Sequence, residues 1–148
     1  MPSSYRSLAL AISINAVVMY LVMYAMLAEA SHFHVNLNRL YMTVLMVTPM
    51  VVVMLLVMRA MYPDARRNRM LMLGSVLLFA AALWAARTQT PIGNTQFLRS
   101  MIPHHSSAIV MCNEADLEGA EILALCEQIV RAQRDEIAQM TRMLADPE

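Results

Sequence analysis

Three long stretches without a single charge constrain this 148-residue chain more than any other feature. Between Arg6 and Glu29 lie 22 uncharged residues, between Arg39 and Arg59 lie 19, and between Arg69 and Arg87 lie 17. A helix rises about 1.5 Å per residue, so roughly 20 apolar residues cross a hydrocarbon core about 30 Å thick. The first two runs qualify as they stand. The third reaches span length through Thr88-Gln89-Thr90 to Pro91, and its Trp84 suits a membrane interface. None carries polar residues at helical spacing, as helices buried in a soluble bundle would. The expectation is an all-α chain with a membrane domain over 1–90, its spans covering about 7–28, 40–58 and 70–88, and a separate tail over 91–148. The first run has a rival reading as a signal peptide, with Ala28-Glu29-Ala30 as a small-x-small cleavage site. It is longer than the usual apolar region of about 7–15 residues, which favours a retained helix.

Orientation follows from where the arginines fall. All eleven basic residues are Arg. The 59–69 loop holds Arg59, Arg66, Arg67 and Arg69, whereas the 29–39 loop holds Arg39 beside Glu29. Cytoplasmic loops collect positive charge, so Arg6 and the second loop are expected on the cytoplasmic side of an inner or plasma membrane. The first loop and the tail are then expected outside it, in the periplasm or extracellular space, which puts His32, His34 and the tail in one compartment. The formal net charge of zero conceals this division. Residues 1–87 carry seven Arg against two acids, a net of +5, and residues 88–148 carry four Arg against nine acids, a net of −5. A chain that is 59% hydrophobic and 15% charged is not disordered, because disordered chains are poor in apolar residues and rich in charge. Without a basic excess it also lacks the surface that a nucleic-acid binder needs.

Sixteen residues are Met. Met42, Met46, Met50, Met54 and Met58 recur every four residues in the second span, followed by Met61, and Met19, Met23 and Met26 form a shorter row on the first. Residues four apart share a helix face. Thioether sulfur is a soft ligand that favours Cu(I) over hard cations. Met is equally a flexible filler between packed helices, and packing is the favoured reading for a stripe with no other donors. Ser13 and Asn15 suit hydrogen bonds between spans, and Pro49 is tolerable in a membrane helix and able to kink it.

After Pro91-Ile92-Gly93-Asn94 the pattern becomes amphipathic. Phe97, Leu98, Met101, Ile102, His105, Ala108, Ile109 and Cys112 repeat at three- and four-residue steps, as do Ile122, Leu125, Cys126, Ile129, Val130, Gln133, Ile137, Met140 and Leu144. Asp116-Leu117-Glu118-Gly119 supplies turn and capping residues between them. The tail reads as a helical hairpin, its first helix starting near Pro103 or kinked there. Folded about Gly119, the hairpin brings Cys112 and Cys126, each seven residues away, to similar heights on the apolar face. His105 lies two turns before Cys112, His104 two turns before Met111, and Met101 one turn before both His residues. Imidazole and thiolate suit copper or zinc, and added thioethers shift the preference towards Cu(I). Two bland readings stand beside this one. Adjacent His residues point about 100° apart, so one of them can simply be solvated. The two Cys can instead form a structural disulfide, which an exported compartment permits provided their Cα atoms come within about 7 Å.

The segment from Phe97 to Cys112, with Met101-Ile102-Pro103-His104-His105 at its centre, resembles the signature of domain-of-unknown-function family 305. Leu125-Cys126, Ile129-Val130, Gln133 and Glu136-Ile137-Ala138-Gln139-Met140 are similar to its second half. Asn36-Leu37-Asn38-Arg39-Leu40-Tyr41-Met42, Pro49-Met50 and Met61-Tyr62 resemble its membrane-anchored branch. The resemblance implies a ferritin-like helical bundle and copper bound through His and Met, with Met101, His104, His105 and Met111 as ligands here. Cys112 and Cys126 match the membrane branch. A ferritin-like bundle has four helices and this tail supplies two, so a homodimer or higher oligomer is expected to complete it.

Two functions follow from different classes. The first is a membrane-anchored, outward-facing copper-handling protein that sequesters or transfers Cu(I). Its ligands would be drawn from Met101, His104, His105, Met111, Cys112, Cys126 and Met140, with His32 and His34 collecting metal in the outer loop. Ag(I) and zinc are the alternative ions, and copper-exporting or copper-carrying proteins the implied partners beside the bilayer. The second is an interaction module without metal, whose hairpin oligomerises and carries a structural Cys112–Cys126 disulfide. Thiol–disulfide exchange fits less well, since reactive thiols are exposed and electropositive. There is no phosphate loop, nucleophile elbow or His-Glu-x-x-His motif, so the chain reads as a non-enzyme.

Overall fold

In lipid every backbone polar group must be satisfied within the chain, and a continuous apolar run achieves this most simply as a helix. The computed structural model describes residues 3–146 and is all-helical over them. It contains α1 (Ser3–Val22), α2 (Leu37–Val57), α3 (Ala65–Thr88), α4 (Asn94–Glu114) and α5 (Ala120–Ala145), with a short 3₁₀ turn at Ala30–His32. The first three are long and apolar enough to cross a membrane. The chain divides into two compact units, one formed by α1 with Asn38–Pro91 and the other by Met23–Leu37 with the chain from Ile92 onward.

In the first unit, Tyr5, Leu8, Leu55 and Tyr62 form a buried cluster, flanked by Ile12, Val51, Met54 and Met72. The Tyr5 hydroxyl donates to Asn68 Oδ1 at 2.9 Å, and Asn68 Nδ2 donates to the Tyr62 carbonyl at 2.7 Å. α3 begins five residues before the expected position 70 because Asp64 caps it, accepting the N–H groups of Arg66 and Arg67 at 3.1 and 3.0 Å. α1 ends at Val22 rather than near 28. The chain turns at Met23–Met26, where Tyr24 is buried and its hydroxyl donates to the His34 carbonyl at 2.7 Å.

These boundaries correct the methionine rows. Met23 and Met26 lie in the turn and not on α1, and Met58 and Met61 lie beyond the end of α2. Met42, Met46 and Met50 are exposed, while Met54 packs against the buried cluster. The Asn15 amide reaches Met50 Sδ at 3.0 Å, so Asn15 joins α1 to α2. Ser13 is exposed.

The second unit is built on the α4/α5 hairpin. Leu98, Ile102, Ile109, Ile137 and Met140 form its core, with Met101, Val130 and Leu144 packed against them. α4 runs through Pro103 from Asn94. Proline lacks an N–H and releases the carbonyl four residues earlier, that of Arg99. That carbonyl accepts from the buried Asn36 side chain at 3.4 Å, so the Met23–Leu37 loop fills the gap in the helix. The same loop gives the Ala28 N–H to Ser106 Oγ at 2.8 Å and the Leu37 N–H to Gln96 Oε1 at 3.2 Å.

Ile102 is 0% exposed at the centre of this core. Ile102→Ala should therefore cost about 2–5 kcal/mol by urea unfolding of the detergent-solubilised protein. Met111→Ala, at a position 63% exposed, should change stability by no more than about 0.5 kcal/mol.

Candidate functional site

The hairpin register sets which side chains meet. Cys112 and Cys126 form a disulfide with Cα atoms 5.4 Å apart. Joined in this way they have no thiolate to offer a metal, so neither Cys belongs to the ligand set in this state and the disulfide reading describes the pair. The register that joins these two also sets His105 of α4 level with Gln133 of α5, since each lies seven residues farther from the turn.

His105 is the histidine that turns inward: its side chain is 15% exposed, whereas His104 is exposed. The two rings meet edge to face with centroids 6.1 Å apart. Glu136 Oε2 of α5 lies 3.3 Å from His105 Nε2. A carboxylate there favours the tautomer with its proton on Nε2, which leaves the lone pair on Nδ1. His105 Nδ1 is buried without a hydrogen-bond partner, and so is Gln133 Oε1. Burial pulls the His105 pKa below its ordinary 6.5; Glu136 opposes this and His104 adds to it. The net effect favours a neutral imidazole.

Met140 is a core residue of the hairpin and Met101 packs against that core, so packing accounts for both side chains. Met111 points to solvent. His32 Nδ1 lies 2.9 Å from Ser106 Oγ, the oxygen that accepts the Ala28 N–H, and its Nε2 lies 3.9 Å from Glu29 Oε2. The His34 pKa is lowered by burial first, then by Arg99 and His32. Its carbonyl accepts from Tyr24 and from Asn36 Nδ2. Both loop histidines therefore belong to the same unit as His105. Among the described residues, no three His, Cys, Asp or Glu side chains are gathered closely enough to hold a metal.

Sequence reasoning passed over Glu136 and Ser106. The first was legible, because the register that paired Cys112 with Cys126 also sets Glu136 within one turn of the level of His105. Ser106 carried no signal, as its partners Ala28 and His32 lie 78 and 74 residues away.

An all-helical chain with three helices able to span a membrane and a disulfide-joined hairpin is the class that these features define. Residues 60–144 match the family described as domain of unknown function (DUF305), and the chain belongs to that family. It is 31% identical over 111 residues to an uncharacterized protein of Acanthamoeba polyphaga mimivirus, an overlap covering 74% of this chain and 71% of that protein. No solved structure matches.

Two measurements test the site. The disulfide closes a short loop, so reduction, or Cys112→Ser with Cys126→Ser, should cost about 3 kcal/mol of unfolding free energy. The lowered pKa of His105 means that the unfolded chain binds the proton more readily than the folded one. Stability contributed by the neutral ring is complete above the ordinary value of 6.5 and declines as pH falls through 6.5 towards the lower folded-state value. Unfolding free energies measured from pH 7.5 to 5 should show this decline, and His105→Gln should flatten it. His34 shares the direction and should leave a smaller residual slope.

Proposed function

We propose that this protein is a membrane-anchored binder of soft monovalent metal, Cu(I) first and Ag(I) second, with His105 as its principal ligand. One observation carries the proposal: a buried, unpartnered Nδ1 on a ring whose Nε2 faces the Glu136 carboxylate. A ligating histidine commonly presents its other nitrogen to a carboxylate, which fixes the tautomer and raises the basicity of the ligating atom. The lowered pKa supports the same reading, since a metal needs the unprotonated ring.

Met101, one turn earlier on α4, and the adjacent His104 are the nearest further donors in the sequence. Imidazole with thioether selects Cu(I). Structural zinc sites take four nitrogen or sulfur ligands, with thiolates prominent, and the disulfide removes the only two thiols. The ion is cargo on this reading, held for sequestration or hand-off to copper-exporting or copper-carrying proteins, and the protein is not an enzyme.

The metal unit is proposed to lie outside the membrane, opposite the Arg-rich 59–69 loop. The hydrogen bonds from Ala28, Asn36 and Leu37 to α4 support one shared side for the first loop and the hairpin. Two hairpins are proposed to pair into a ferritin-like four-helix bundle. Ile122, Leu125, Phe97 and Met111 support this, because their apolar side chains are exposed on a unit that has only two long helices. A second reading, an interaction module without metal, draws on the disulfide itself, which is sufficient to stabilise a hairpin whose only task is to oligomerise.

Cu(I) titration of the detergent-solubilised protein against a competing chromophoric chelator separates the two. Stoichiometric binding is expected, lost on His104→Ala with His105→Ala and weakened about 10–100-fold by Glu136→Gln. Equal affinity in wild type and the double variant would leave the interaction module standing, and a monomer by light scattering would remove the paired bundle.

A further inference from the structure

The membrane unit holds a cleft of about 520 Å³ among α1, α2 and α3, within the range of about 300–1,000 Å³ typical of small-molecule sites. Leu8 and Ile12 of α1, Val51 of α2 and Leu71 of α3 give it apolar walls. Tyr5 and Arg67 also line it, and the Arg67 guanidinium sits over the Tyr5 ring, 5.7 Å from its centroid. Tyr5, Leu8, Arg67 and Leu71 occupy the first turns of α1 and α3, so the charged side of the cleft lies at the end of the spans that carries the 59–69 loop.

That end is strongly cationic. Arg6, Arg59, Arg66 and Arg69 are all exposed around it, and Asp64 is the only acid between Glu29 and Glu114. Asp64 offsets one of these charges but leaves Arg67 with free N–H donors. Its Oδ2 takes the Arg67 Nε at 2.9 Å and its Oδ1 caps α3, so the carboxylate fixes the guanidinium by one edge. A guanidinium has five N–H donors in a rigid fork, and the amino groups on its other edge suit the planar, bidentate capture of a phosphate. An apolar slot with a fixed guanidinium and several exposed arginines at the same end of the helices suits an amphiphile with an anionic head.

We propose that this cleft binds one anionic phospholipid, with an acyl chain between α1, α2 and α3 and the phosphate on Arg67, aided by Arg66 and Arg69. Charge complementarity selects the occupant. A zwitterionic lipid offers the same tails and phosphate, but its own cation opposes the arginines. A second copy of this chain would bring its own arginines to the same end. The site is independent of metal binding by the hairpin and stands or falls separately from it.

Native mass spectrometry of the full-length protein in maltoside detergent tests it, titrating dioleoylphosphatidylglycerol against dioleoylphosphatidylcholine, which share their acyl chains. The anionic lipid is expected to bind at least tenfold more tightly. Arg67→Gln should erase most of that preference, whereas Arg142→Gln, on α5, should retain it. Ala9→Trp, which fills the cleft without altering a charge, should weaken both lipids several-fold at the specific site, and it decides the question if Arg67→Gln fails to fold. Equal affinities for the two lipids, a preference that survives Arg67→Gln, or binding indifferent to Ala9→Trp would each overturn the proposal.

Discussion

A peptide group shut away from water without a partner is too costly for this chain to tolerate, and its architecture follows from that one constraint. In the apolar runs the helix meets it internally. At the starts of α2 and α3 and at Pro103 it does not, and there the sequence supplies side chains. Asp64 takes the first free N–H groups of α3, Gln96 takes that of Leu37, and Asn36 reaches the carbonyl released by Pro103. The last two come from residues 59 and 63 positions apart in sequence. They tie the Met23–Leu37 loop to α4 more specifically than apolar contact does, since a hydrogen bond to a particular carbonyl fixes register as well as proximity.

The same constraint makes His105 conspicuous. Several neighbouring polar side chains of the hairpin unit are spoken for: Ser106 by Ala28 and His32, Asn36 by Arg99 and His34, Ser107 by the Pro103 carbonyl. Against that background a buried imidazole nitrogen with no partner stands apart, as does the Gln133 oxygen level with it in the hairpin. Buried polar atoms left unsatisfied in a folded protein call for an explanation, and a ligand is one. The disulfide narrows which ligand. With both sulfurs oxidised, thiolate drops out, and imidazole and thioether are the nitrogen and sulfur donors left to the metal reading proposed above.

The three long apolar helices were legible because hydropathy acts over about 20 residues and tolerates errors at each end. Their boundaries were not, because these depend on single residues. Asp64 reads as an ordinary loop acid until its cap on α3 is seen, and Tyr24 reads as part of a span although its hydroxyl bonds to the His34 carbonyl. The hairpin was legible through its two amphipathic repeats and the turn residues between them, and its register through the equal distance of Cys112 and Cys126 from Gly119, whose φ of 106° few residues other than glycine adopt. The stripe on α5 was only half right. Ile137 and Met140 are buried, but Ile122 and Leu125 are exposed: α4 ends at Glu114, which leaves Ile122 beyond its reach and Leu125 at the last turn of the contact. Periodicity shows which residues share a face. It does not show how far the opposite helix extends.

Charge separates the two units as sharply as fold does, and the separation has a physical logic. The basic residues of the 59–69 segment would repel a metal cation, yet they suit a phosphate surface. The acidic residues of the hairpin lie mostly on its exposed faces, where they raise the local concentration of any cation approaching His104 and His105. A long-range field of this kind is screened within about 10 Å at ordinary ionic strength, so it assists encounter rather than grip. On the reading proposed for the hairpin the grip comes from short-range chemistry, and the buried, carboxylate-flanked ring of His105 is equipped to supply it.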